Sequence, residues 1–122
     1  MFQYSDNSNN SNNSDFLNNF NNTNNSELIK EIENKYNIAI NYFQSENFKE
    51  SEEIILEILE IIPDNSDVYN FYGRLKQFQG DFNKSIELLK KSVEYDPHNF
   101  MAHYNLGLAY CIFQLLKLLF LF

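Results

Sequence analysis

The chain has 122 residues and is short of most residues that carry covalent or metal chemistry: one cysteine, two histidines, no tryptophan, three glycines and two prolines. The single thiol, Cys111, excludes an internal disulfide and is compatible with a reducing compartment such as the cytoplasm. Its apolar neighbours point to a buried structural thiol rather than a nucleophile. His98 and His103 lie five residues apart with no carboxylate at ligand spacing, and zinc needs three or four convergent ligands. The glycines are too scattered to cradle a phosphate. Nine cations against seventeen acids, with no basic cluster, disfavour nucleic acid, whose phosphates require grouped positive charge. The N-terminus lacks the basic start and apolar centre of a secretory leader. No catalytic residues, metal or cofactor are expected.

The few glycines and prolines present are placed with a period. Gly73 and Gly107 are 34 residues apart, as are Pro63 and Pro97. Blocks starting at Ile32, Ser66 and Phe100 put Ala39, Gly73 and Gly107 in the eighth place, where two helices of a hairpin must approach closely. Ile38, Tyr72 and Leu106 occupy the seventh place, and Ser51 and Ser85 the twentieth. Apolar residues recur at three and four within each half-block, the helical period. Glu46-Asn47 and Gly80-Asp81 fall at the block midpoints, and Gly or Asn can supply the left-handed backbone of a tight turn. Each proline stops a helix. The spacing predicts helices over 27–45, 48–61, 67–79, 82–95 and from 100 to 114 or beyond.

With Tyr69-Asn70-Phe71-Tyr72-Gly73, Gly80-Asp81-Phe82, Ser85, Leu89 and Asp96-Pro97, and again with His103-Tyr104-Asn105-Leu106-Gly107, the chain resembles the tetratricopeptide repeat (TPR) family over about residues 27 to 114. It departs from that pattern at position four, where Lys35, Tyr69 and His103 replace Trp, and His103 is expected to pack. It departs also at Ile58, bulky where the family has Ala, and at Lys76 in place of an aromatic, which implies looser packing. The resemblance implies an all-α fold: a TPR-like helical-hairpin solenoid of two full repeats (26–65 and 66–99) and a partial third (100–114).

Residues 1–25 are dominated by Asn and Ser and bury too little apolar surface to fold, so they are expected to be disordered. The net charge of −8 is uneven: residues 26–63 hold nine acids and three bases, whereas 64–122 hold six of each. Glu50, Glu53, Glu57 and Glu60 share one face of a helix, expected to be a solvated outer surface or else a docking strip for a basic partner. Block three loses its midpoint turn, and 115–122 (Leu-Leu-Lys-Leu-Leu-Phe-Leu-Phe) forms an apolar tail. The tail has three readings: a truncated product of a larger gene, a segment that covers repeat two or self-associates with another copy, and a membrane attachment. Polar residues His103, Asn105, Gln114 and Lys117 interrupt the last of these. Aggregation or oligomerisation of the isolated chain is expected.

In TPR-like solenoids the first helix of each repeat lines a concave groove. The resemblance therefore implies a peptide-binding groove from Tyr36, Asn37 and Ile40, then Asn70, Phe71, Arg74 and Phe78, then Tyr104, Asn105 and Leu108. Aromatic faces there supply contact area, and amides can pair with a peptide backbone. The cations of a chaperone-tail carboxylate clamp are absent: Tyr36, Ile40, Phe71, Met101 and Asn105 stand in their places. Asn37 and Asn105 fit the asparagine ladder of protein O-linked N-acetylglucosamine transferases, and Phe71 interrupts it. The expected function is binding of a protein or peptide of unspecified identity. The alternative is a fragment that selects substrates for a larger enzyme such as a glycosyltransferase.

Overall fold

The computed structural model describes residues 22–121, with side chains from Asn25 to Phe120. The expected disorder of residues 1–25 therefore falls almost wholly outside the described residues. Five helices succeed one another: α1 Asn22–Gln44, α2 Phe48–Ile61, α3 Ser66–Phe78, α4 Phe82–Tyr95 and α5 Phe100–Leu121. The described residues are thus all-α, in repeated helical hairpins. One difference from the expected bounds matters: helix α1 starts at Asn22, inside the Asn-rich segment. Helix α5 runs beyond residue 114, as expected, and continues unbroken through most of the apolar tail.

The chain divides into two compact units, one ending at Pro63 and the other starting at Asp64. The first is the α1–α2 hairpin, with Ile32, Tyr36, Ala39, Ile55 and Ile58 buried. Ile58, expected to loosen the packing, is fully enclosed. Ser51 Oγ donates to the Ala39 carbonyl at 2.8 Å, so the small residues in the eighth and twentieth places of the block meet directly. The second unit holds α3, α4 and α5, with Val68, Leu75, Leu88, Leu89, Ala102 and Ala109 in its interior.

Both hairpin turns are built alike, 34 residues apart. Asn47 N–H donates to Tyr42 O at 2.8 Å and Glu46 N–H to Phe43 O at 3.0 Å; Asp81 N–H donates to Lys76 O and Gly80 N–H to Gln77 O, both at 2.9 Å. This closure needs a left-handed residue after the helix. In the second turn it is Gly80 (φ 86°); in the first it is Glu46 (φ 63°), not Asn47. Asp81 then caps α4 by accepting from Lys84 N–H at 3.1 Å, whereas Asn47 makes no side-chain cap.

Gly73 shows why the period requires a small residue. A Cβ there would stand 2.6 Å from Leu89 Cγ and 3.2 Å from the Ser85 carbonyl oxygen, inside the α3–α4 contact. A Cβ at Gly107 would meet nothing within 4 Å. The difference lies in the stretch of chain after each glycine. Gln114 stands where Gly80 turns the chain, and α5 continues straight through it. No helix in the described residues folds back over Gly107.

Candidate functional site

The second unit brings α3 and α5 side by side, and side-chain amides set their spacing. Asn99, just before α5, caps it by accepting from Ala102 N–H at 3.1 Å. Its Nδ2 donates to Ser66 Oγ at 2.8 Å and to Asp67 Oδ1 at 3.1 Å. Further along, Asn105 Nδ2 donates to Asn70 Oδ1 at 2.9 Å. Both links join residues near the helix N-termini, so α3 and α5 run in the same direction. Ser66 is tied in turn to α4: its Oγ donates to the Ser92 carbonyl and Ser92 Oγ donates to the Ser66 carbonyl, each at 2.7 Å.

One period earlier, Asn65 caps α3 in the same way, accepting from Val68 N–H at 2.9 Å. It is fully buried, yet its Nδ2 has no hydrogen-bond partner. Ile32 occupies the place in the repeat that Ser66 holds for Asn99.

On this frame the residues expected to line a groove in the second unit divide by depth. Phe71 and Asn105 are buried, Asn70 and Arg74 are half-buried, and Phe78, Tyr104 and Leu108 are exposed. Asn70, Arg74 and Phe78 are spaced at intervals of four, one stripe of α3, with the Arg74 guanidinium over the Phe78 ring at 5.8 Å. Tyr104 and Leu108 lie on α5 to either side of Asn105, and Met101 next to them is also exposed. Exposed aromatic and aliphatic residues thus stand along the two helices that a part-buried amide pair joins. Asn105, one of the two residues that fit the asparagine ladder, has its amide nitrogen on Asn70.

Residues Tyr36, Asn37 and Ile40 belong to α1 in the first unit, where Tyr36 is buried, Ile40 half-buried and Asn37 exposed. Glu50, Glu53, Glu57 and Glu60 are all exposed on α2. Glu57 accepts from Lys35 Nζ at 2.7 Å, and that bond raises the lysine pKa above its ordinary value. The Asp67 carboxyl is held above the usual carboxylate range, chiefly by burial. The Asn99 hydrogen bond pulls it back, and the nearby Asp96 charge adds to the rise.

Two expectations are corrected. Cys111 is exposed; among the described residues no helix covers its face of α5. His103 is exposed too, rather than packed, and its Nε2 lies 2.8 Å from the Pro97 carbonyl oxygen. The residue that sequence reasoning missed is Asn99, which joins α3 to the start of α5. Its only signal was the recurrence of Asn65 and Asn99 at the repeat period. Among the described residues no three potential metal ligands come together, and no helix is long and apolar enough to cross a membrane.

Comparison with known proteins supports the repeat reading. Residues 32–65 match a family model described as "Tetratricopeptide repeat", in the same register as the first block. Residues 78–111 match one described as "TPR repeat", from the end of α3 through α4 into α5. The chain is similar to human "Interferon-induced protein with tetratricopeptide repeats 2", at 34% identity over 77 residues, covering 62% of this chain and 16% of that protein. It is also similar to mouse "BBSome complex member BBS4", at 30% identity over 75 residues, covering 62% of this chain and 14% of that protein. The chain thus spans less than a fifth of the length of either relative.

Proposed function

From the premise that this chain belongs to the tetratricopeptide-repeat family, whose repeats are generally protein-interaction modules, we propose that it binds a peptide or protein segment along the α3–α5 surface of its second unit. The observation that carries this reading is the exposure of Phe78 on α3 and of Tyr104 and Leu108 on α5, the two helices that the Asn70–Asn105 bond joins. Large apolar side chains grouped over a rigid polar frame are what a recognition surface requires, since aromatic anchors give most binding energy at little entropic cost. The Asn70–Asn105 bond contributes about 1 kcal/mol to holding the frame. The proposed role is recognition without catalysis. The lone thiol, exposed at Cys111, is compatible with a reducing compartment, and the proposed location is the cytoplasm.

The test is selection of binding peptides from a random library on the full chain, then titration of one selected peptide. Replacement of Arg74 and Phe78 together by Ala, both on α3, is expected to weaken binding at least tenfold, about 1.4 kcal/mol, with helicity unchanged. Equal affinity of the variant would rule this surface out as the binding site.

A further inference from the structure

The proposed groove leaves unexplained the long apolar extension of α5. Tyr104, Leu108, Cys111, Leu115 and Leu118 are spaced at intervals of four, three, four and three, which is the a/d spacing of a helix that pairs with another helix. All five are exposed, Leu115 by 60% and Leu118 by 52%. The opposite side of α5 is already used: Ala102 and Ala109 are buried, and Phe113 stacks on Phe82 at the start of α4, with ring centroids 6.2 Å apart. Residues 115–120 run beyond that contact, and nothing in the described residues covers the stripe.

We propose that α5 pairs with α5 of a second copy of this chain along this stripe, an association that goes beyond the groove reading. Three features favour a second copy. First, the residue pattern changes where a covering helix would begin. Gln114 replaces the glycine of the hairpin turn, and α5 goes on as helix instead of reversing, so this stretch does not make its own cover. Second, charge permits it. Each of α1 to α4 contains acidic residues, whereas α5 has none and carries only Lys117 as a permanent charge. In a chain of net charge −8, α5 is therefore the helix along which two copies repel least. Third, the area reaches the lower bound. The exposed parts of the stripe residues, together with Leu119 beside Leu118, amount to roughly 500 Å² per copy, at most about 1,000 Å² for a pair, the lower end for specific association. A pair related by a two-fold axis uses the same stripe on both copies and closes without further growth. Tyr104 and Leu108 belong to both surfaces, so pairing and peptide binding compete for α5.

The experiment is light scattering of the full chain over a concentration series, beside a Leu115→Glu, Leu118→Glu variant. Neither residue belongs to the proposed groove, so the result is separate from the peptide test. The mass of the native chain is expected to double with concentration, and a short bis-maleimide is expected to join two copies through Cys111, the sole cysteine. The variant is expected to keep the monomer mass and the same circular dichroism. A native chain still monomeric at about 100 µM, between the micromolar and millimolar marks of the affinity scale, overturns the proposal. So does a variant whose mass still doubles, a mass gain seen only with lipid vesicles, or open-ended aggregation. If the variant does not fold, absence of the Cys111 cross-link in the native chain at doubling concentrations overturns it equally.

Discussion

Replacing Gly73 and Gly107 separately by alanine tests whether the period of the sequence is a period of packing. Both glycines lie within helices, so each gains from alanine's better helix propensity by about 0.5–1 kcal/mol. That is the whole effect at Gly107, where the new Cβ has open space within 4 Å. At Gly73 the Cβ would lie 2.6 Å from Leu89 Cγ and 2.8 Å from its Cδ2. Leu89 is fully buried and cannot swing outward, and the Ser85 carbonyl at 3.2 Å is backbone. Overpacking of this kind costs about 1–3 kcal/mol. Gly73→Ala is therefore expected to be neutral to about 2 kcal/mol destabilising, and Gly107→Ala stabilising by up to about 1 kcal/mol. The propensity gain cancels in the comparison, leaving a gap of about 1–3 kcal/mol, or about 4–8 °C in Tm for each kcal/mol in a domain this small. Thermal melts monitored by circular dichroism, in dilute solution where copies do not pair, measure it. Equal stabilisation by the two substitutions would refute the reasoning.

Other substitutions exploit the same equivalences. Glu46→Gly relieves a left-handed backbone that costs a residue with a side chain about 1–2 kcal/mol, and should raise the urea midpoint by the equivalent of about 1 kcal/mol after glycine's own entropy is subtracted. Ser51→Ala loses the buried hydrogen bond to Ala39 and should cost about 1 kcal/mol. Ser85→Ala, one period later, removes a buried hydroxyl with no partner and should be neutral or stabilising by about 1 kcal/mol, so urea titrations of the pair should differ in sign. Asp67 has a folded pKa raised above its ordinary 3.8, so its favourable contribution is present below that value and is lost as pH rises through the raised pKa. Asp67→Asn keeps an acceptor for Asn99 while removing the buried charge. It should therefore be at least as stable as the native chain at neutral pH, with a shallower fall in stability on leaving acid; a loss at neutral pH would contradict this.

How far the sequence could be read differs from one half of the repeat to the other. The hairpins were legible because Gly, Ser and Pro recur where a close crossing or a helix stop demands them, and α2 and α4 have the bounds the spacing predicted. The left-handed position was harder. Backbone geometry put Glu46 there, a residue that composition alone does not mark. Helix α1 extends back to Asn22 although asparagine is a poor helix former, so weak local preference does not settle a terminus. The depth of the proposed groove residues was not legible either. Position in a repeat indicates a face of a helix, but only the packed neighbours bury Phe71 and Asn105 while leaving Phe78 and Tyr104 in solvent. Cys111 failed for the related reason that its apolar neighbours surround it in sequence, whereas burial needs a facing helix.

Recognition on the α3–α5 face can be tested by mapping backbone amide shifts as a library-selected peptide is titrated into the full chain. The largest changes are expected over residues 70–78 of α3 and 101–108 of α5, with the exposed acidic face of α2 unmoved. Changes confined to Glu50, Glu53, Glu57 and Glu60, with α3 and α5 unaffected, would contradict it and move recognition to that acidic strip.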